Sequence, residues 1–230
     1  MISEEWRTFL YPIGLLSSLA FLSRFLIQWI KSEKEGKSII PRSFWVISLL
    51  GNFLLMLHSI IQMQYPISII QSCNAVISWR NLNLMGARER QVKFSTVIVL
   101  MFLSSLAITA YFTLDSYYFS AAGGWMRSPR VPWQNEHSSA GLIWQLIGTM
   151  GVTLFSLRFF LQWWNAESRH KSEITPFFWY LSISGAVMMI IYFTRTNDPV
   201  NLLGPCFGII PYIRNLMLIR AYEQQEQSST

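Results

Sequence analysis

Charge is what this chain has least of. Only 13% of its 230 residues are Asp, Glu, Lys or Arg, against 52% hydrophobic and 15% aromatic. That balance excludes a soluble domain and points to an integral membrane protein. Cysteine is scarce as well. Cys73 and Cys206 both fall inside apolar runs, which excludes a disulfide framework and reads as two reduced core residues. The three histidines, His58, His137 and His170, lack the spacing of metal ligands. No run carries a nucleophile motif, a Gly-rich phosphate loop or a catalytic pair of carboxylates, so no metal, no cofactor and no catalytic residue is expected. A cleavable leader is not expected either, because Glu4, Glu5 and Arg7 precede a first apolar run without a small-residue cleavage site.

What the chain does have is long apolar runs, and roughly 20 such residues suffice to cross a bilayer as a helix. Seven runs qualify, near 11–30, 44–63, 66–84, 95–114, 141–164, 176–194 and 199–219. Two of them carry the same motif 134 positions apart: Arg24-Phe-Leu-Ile-Gln28-Trp29 and Arg158-Phe-Phe-Leu-Gln162-Trp163. The match continues through Glu33 and Glu167, Lys37-Ser38 and Lys171-Ser172, Phe44-Trp45 and Phe178-Trp179, Ser48 and Ser182, and Gly51 and Gly185. It ends with Arg80-Asn81-Leu82 and Arg214-Asn215-Leu216. A fixed offset held over this length, with one slip around Pro66 and Pro199, is internal duplication.

The expected fold is therefore all-α and membrane-embedded, with two parallel three-helix bundles joined by a linker helix. A first repeat at 8–86 precedes a linker helix and outer loop at 92–140, a second repeat at 141–221 and a polar, disordered tail at 222–230. Three helices reverse the chain's direction, so an intervening fourth is needed if the second triplet is to run parallel to the first. The basic residues set the orientation. With the N-terminus outside, ten fall in the cytoplasm (Lys31, Lys34, Lys37, Arg42, Arg88, Arg90, Lys93, Arg169, Lys171 and Arg220) against four outside (Arg7, Arg127, Arg130 and Arg195). The net charge of +6 then faces anionic headgroups, and nucleic acid is not needed as a partner. The stretch 115–140, with Trp125, Trp133 and Pro-Arg-Val-Pro, is the longest loop and is placed at the outer interface.

Arg24 and Gln28 share a helix face, as do Arg158 and Gln162, while Arg80-Asn81 and Arg214-Asn215 lie near the inner ends of the third helices. Four guanidiniums with two glutamine and two asparagine amides would converge on the inner half of the bilayer. Two readings stand at this point. Either the arginines form a site for phosphate or carboxylate, which a planar fork of donors suits, or they snorkel to the headgroups and pair with Glu33 and Glu167. Gln71, Asn74 and Ser78 add a polar stripe on the third helix, answered in the second copy by Pro205, Gly208 and Tyr212, so the site is expected to be asymmetric. Such a stripe serves equally as interhelical glue. Trp29, Trp45, Trp163, Trp164 and Trp179 read as interface anchors.

Arg24 to Trp29, Glu33, Lys37-Ser38, Pro41, Phe44-Trp45 and Arg80-Asn81-Leu82 resemble the lipid-A-disaccharide synthase N-terminal domain family. The second copy resembles it through Asp198-Pro199, Gly204 and Tyr212-Ile213-Arg214-Asn215-Leu216. More distantly, a Gln at a helix end and a Lys-Ser loop resemble PQ-loop and SWEET carriers, which share the three-one-three layout. The resemblance implies a bacterial inner-membrane protein of lipid A or related glycolipid synthesis. It would bind, and on one reading translocate, a phosphorylated lipid headgroup, with a membrane-associated glycosyltransferase as partner. Two alternatives are a SWEET-like facilitator of a small solute, and lipid-A-disaccharide synthase activity exerted with a partner, since the glycosyltransferase domain of the family's namesakes does not appear in this sequence.

Overall fold

The structure is a computed structural model that describes residues 4–119, 125, 141–169 and 175–229. Every regular element among these is helical: α1 (Glu4–Phe9), α2 (Pro12–Glu35), α3 (Arg42–Ile61), α4 (Tyr65–Leu84), α5 (Phe94–Phe119), α6 (Leu142–Arg169), α7 (Pro176–Arg195) and α8 (Pro199–Ser229), with a 3-10 turn at Arg88–Arg90. Six of the helical stretches are long and apolar enough to cross a membrane. Tyr65–Leu84, the expected third span, is not one of them. Its composition explains this, because Gln71, Asn74, Arg80, Asn81 and Asn83 dilute its apolar residues.

The polar face of α4 is nonetheless covered, since the helix packs against α3, α5 and α6. α2 packs on α3 and α3 on α4; α6 packs on α7 and α7 on α8 in the same pattern. The two sets then interlock, α2 lying against α8 and α4 against α6. Glycines set the close crossings within each set. A Cβ on Gly14 would stand 2.6 Å from the His58 ring, and one on Gly148, 134 positions on, would stand 2.7 Å from the Tyr192 ring. Gly51 likewise faces the Phe21 ring at 2.7 Å, and its counterpart Gly185 faces the backbone nitrogen of Phe155 at 2.7 Å. A side-chain methyl has no room in these contacts, and at Gly185 the obstacle is main chain, which cannot rotate away.

The connections repeat too. Two residues past the end of α3, Met63 has φ 58°, and two past the end of α7 the equivalent Asn197 has φ 52°. In both turns the next amide reaches back to close the helix, Gln64 N–H to Ser59 O at 2.8 Å and Asp198 N–H to Phe193 O at 3.0 Å. Asparagine tolerates the left-handed region; methionine does so only because Met63 is buried against Ile108 and Phe112. At the start of α8, the buried Asp198 carboxylate accepts from Asn201 N–H at 3.2 Å, Asn201 Nδ2 at 2.9 Å and Gln64 Nε2 at 3.4 Å. Burial pushes its pKa above the usual carboxylate range, against the pull of those donors.

Several details differ from the sequence reading. α5 runs to Phe119, so residues 115–119 are helix and not loop. α8 continues to Ser229, which corrects the disordered tail at 222–230: Glu and Gln are good helix formers and extend a helix that tertiary packing has already nucleated. Trp45, Trp163 and Trp179 are core residues at 0%, 5% and 3% exposure, and not interface anchors; Trp164, at 60%, remains outward-facing. Both cysteines are free, but Cys206 is exposed and not in the core. Trp125 caps the α4–α5 pair, its carbonyl accepting from Tyr65 N–H at 3.0 Å. Arg127, Arg130, Trp133, the Pro-Arg-Val-Pro segment, His137, His170 and Lys171-Ser172 lie outside the described residues.

Candidate functional site

The repeated polar residues meet across the two copies and not within them. Gln28 on α2 and Asn215 on α8 exchange amide hydrogen bonds at 2.9 and 3.2 Å. Gln162 on α6 and Asn81 on α4 do the same at 2.8 and 3.2 Å. Each asparagine also donates to the carbonyl four residues back, Pro211 O at 2.7 Å and Ile77 O at 3.0 Å. One turn further along, Arg80 forks onto Glu167 of the other copy at 2.5 and 2.8 Å, and Arg214 forks onto Glu33. Trp163 Nε1 donates to Glu167 and Trp29 Nε1 to Glu33, each at 2.9 Å. Two Gln–Asn exchanges and two Trp–Glu–Arg clamps thus stitch α2 to α8 and α4 to α6.

The clamps are unequal. Arg80 and Glu167 are 4% and 12% exposed, whereas Arg214 and Glu33 are 40% and 35% exposed. Arg80 also donates to Asn83 Oδ1 at 2.7 Å and Val92 O at 2.9 Å, and Phe94 stacks on Trp163 at 5.3 Å. Among the described residues Arg214 has no such added acceptors, although Ser38 Oγ donates to Asn215 Oδ1 at 2.7 Å on the same seam, and α8 contains Pro205 and Pro211.

Arg24 and Arg158 lie deeper. Each is eleven residues from the end of its helix, about 16 Å at the helical rise. Arg24 is 3% exposed and Arg158 1%. The Arg24 guanidinium sits over Phe21, Phe25 and Phe44 at 4.5, 4.8 and 5.1 Å. Arg158 sits over their equivalents Phe155, Phe159 and Phe178 at 3.5, 4.6 and 5.5 Å. Phe159 is shared, lying 5.4 Å from Arg24 as well. Ring faces stabilise a desolvated cation by about 2 kcal/mol. They supply no hydrogen bond. Arg24 Nη1 donates to Ser48 Oγ at 2.8 Å, but its Nε and all three nitrogens of Arg158 have no hydrogen-bond partner among the described residues.

Between the copies, beside Arg24, lies a cavity of about 50 Å³ lined by Phe21, Phe25, Phe155, Phe159, Asn52, Gln71, Asn74, Ser156, Asn201 and Pro205, among others. The side-chain carbonyl oxygens of Gln71 and Asn74 are also without hydrogen-bond partners among the described residues. A space this size holds a few water molecules.

The ten residues singled out from sequence therefore divide by depth. Gln28, Asn81, Gln162, Asn215, Arg80 and Arg214 form the stitches, with their polar groups engaged. Arg24, Gln71 and Asn74 line the cavity, and Arg158 lies behind Phe155 and Phe159. Sequence reading did not single out Asn52, Ser156, Asn201 or the four phenylalanines as lining residues. The phenylalanines were within reach, because Phe21 and Phe25 recur as Phe155 and Phe159 at the same offset as the arginines.

Comparison with known proteins gives the lineage. Residues 13–83 and 147–217 each match the Lipid A Biosynthesis N-terminal domain, the two matches being offset as the repeats are. The chain is 38% identical over 95% of its length to a lipid-A-disaccharide synthase of Chlamydia muridarum, covering 35% of that protein. It is 38% identical over its whole length to one of Chlamydia pneumoniae and 37% identical over 95% to one of Chlamydia trachomatis, covering 36% and 35% of them. The chain thus spans about a third of the length of the curated relatives it matches. No solved structure matches.

The inequality of the clamps is testable. Glu167→Ala leaves the buried Arg80 without its counter-charge and is expected to cost about 3 kcal/mol. Glu33→Ala breaks an exposed pair and is expected to leave stability nearly unchanged. Thermal denaturation of the two variants in detergent measures the difference; equal losses would remove the distinction.

Proposed function

The chain belongs to the lipid A biosynthesis N-terminal domain family, and from that lineage we propose that it is a bacterial inner-membrane protein binding a phosphorylated glycolipid headgroup. The observation that carries the proposal is the pair Arg24 and Arg158. A charge at this depth costs roughly 2.5 to 3.5 kcal/mol on insertion scales and normally faces a partner or a wet cavity. Among the described residues neither arginine has a carboxylate ion pair, while their shallower counterparts Arg80 and Arg214 do. A bound phosphate supplies both the missing charge and acceptors for the free N–H groups. The snorkelling reading fits these two arginines poorly, since both are buried.

In this reading the chain crosses the membrane seven times, Tyr65–Leu84 serving as a span because its neighbours cover its polar face. The two triplets run parallel as three-helix bundles, with α5 as the linker. The Lys- and Arg-rich end faces the cytoplasm. The matched relatives carry the name lipid-A-disaccharide synthase, and the chain here acts beside a membrane-associated glycosyltransferase, presenting the headgroup of its lipid.

Lysine reproduces the charge but not the fork of an arginine. Arg24→Lys and Arg158→Lys are each expected to weaken binding of short-chain phosphatidic acid about tenfold, near 1.4 kcal/mol, with folding retained. Titration against the detergent-solubilised protein measures it, and wild-type affinity in both variants would reduce the arginines to packing elements. A periplasmic phosphatase fused after Glu223 should be silent and a fluorescent protein at the same point bright. The opposite pattern would overturn the orientation.

A further inference from the structure

We infer that Asp198 is a proton-binding site: its carboxyl carries a proton that it donates to Gln64, and the resulting acid–amide pair shuts the end of the cavity away from the Arg–Glu clamps. The inference does not depend on what the cavity binds. Gln64 and Asp198 are equivalent residues, 134 positions apart, just before α4 and α8. Arg80 and Arg214 each lie 16 residues further on, about 24 Å at the helical rise. Asp198 is 2% exposed, and no Lys, Arg or His among the described residues pairs with it. Arg7 donates to Gln62 O at 3.1 Å, Arg195 is exposed, and His58 packs on Tyr11 at 5.3 Å. Tyr11 before α2 and Tyr192 on α7 lie within electrostatic reach of it. The bond from Gln64 Nε2 to its carboxyl is 3.4 Å long, whereas a charged acceptor draws such donors to roughly 2.7–2.9 Å. Gln64 Oε1, on a side chain 7% exposed, accepts from nothing among the described residues. An acceptor buried in this way costs free energy until a donor meets it. The Asp198 proton is that donor: with Oδ1 protonated, its O–H donates to Gln64 Oε1 while Oδ2 goes on accepting from Nε2. Burial favours the neutral acid in the same sense.

The pair stands where packing closes the cavity least. α8 packs on α2 and α4 on α6, leaving α4 and α8 to meet across the cavity, which Ile67 and Gln71 line from one helix and Val200, Asn201 and Gly204 from the other. A Cβ on Gly204 would meet nothing within 4 Å. Ile67 and Val200 belong to the first turns of their helices, so the cavity reaches to just beneath Gln64 and Asp198. Each helix start is tied to its own side, Val200 O accepting from Ser18 Oγ at 2.9 Å and Tyr65 N–H donating to Trp125 O at 3.0 Å. Among the described residues, Gln64 to Asp198 is the hydrogen bond that joins the two starts. When the proton leaves to bulk water, a buried carboxylate remains beside an amide oxygen that repels it. Its charge draws water in, and the helix starts part. Because burial raises the pKa of the closed form, closure is complete at pH below the ordinary carboxylate value and is lost as pH rises through the raised one.

The test reads the accessibility of a thiol introduced by Gly204→Cys in the detergent-solubilised full chain, with Cys73→Ser and Cys206→Ser removing the native thiols. Its rate of reaction with a water-soluble methanethiosulfonate reagent is divided by that of glutathione at the same pH, which cancels the ordinary titration of thiols. From about pH 5 to about pH 9 this ratio is expected to rise about tenfold. Asp198→Asn pairs with the Gln64 amide as the protonated acid does, and is expected to hold the ratio low throughout. Gln64→Leu removes the pair and is expected to hold it high throughout. Asparagine is close to the acid in shape, so Asp198→Asn keeps the test valid if Gln64→Leu does not fold. A ratio that stays constant with pH when Gln64 and Asp198 are both present, or that rises equally in Asp198→Asn, would overturn the inference and leave the phosphate reading untouched.

Discussion

Hydrocarbon offers no hydrogen bonds, so every polar group that this chain buries has to find its partner inside the protein. Duplication answers that constraint. Each copy carries a Gln on its first helix and an Asn on its third, and each pair is completed by the other copy, Gln28 with Asn215 and Gln162 with Asn81. The same exchange joins Glu33 to Arg214 and Glu167 to Arg80. Neither triplet satisfies its polar residues alone. The repeats are therefore bound by the energetic need to pair these groups, in addition to the apolar packing of Phe25, Trp45, Phe159 and Trp179 between them.

Against that background the exceptions carry information. The arginine nearest the centre of each copy is boxed by three phenylalanine faces and left short of acceptors, and the amides of Gln71 and Asn74 are left short of donors. Arg24, Gln71 and Asn74 line one cavity and Arg158 lies behind its phenylalanine wall, while Trp45 Nε1, Trp179 Nε1 and the His58 nitrogens also lack hydrogen-bond partners among the described residues. The proposed anion meets the donors that Arg24 and Arg158 leave open. The chain's relatives are named lipid-A-disaccharide synthase.

Much of this was legible in the sequence, for physical reasons. The offset of 134 exposed the duplication, and apolar runs of helical length exposed six of the seven expected spans, because the bilayer imposes both length and hydropathy. What the sequence could not resolve was which copy each residue pairs with. Arg24 and Arg80 look alike as intramembrane arginines, but Arg80 ends within reach of Glu167 while Arg24 ends among rings. That distinction comes from how α4 meets α6, which no local pattern records. The helical tail was missed for the opposite reason: its polar composition suggested disorder, but it continues a helix already formed.

The central claim is that Arg24 and Arg158 hold an anion in the working protein. Native mass spectrometry of the protein extracted in mild detergent tests it most directly. The account expects a single phosphorylated glycolipid bound per chain, surviving extraction and released when the protein unfolds. A chain that emerges with no bound phosphate-bearing species, yet as stable as before extraction, would contradict it.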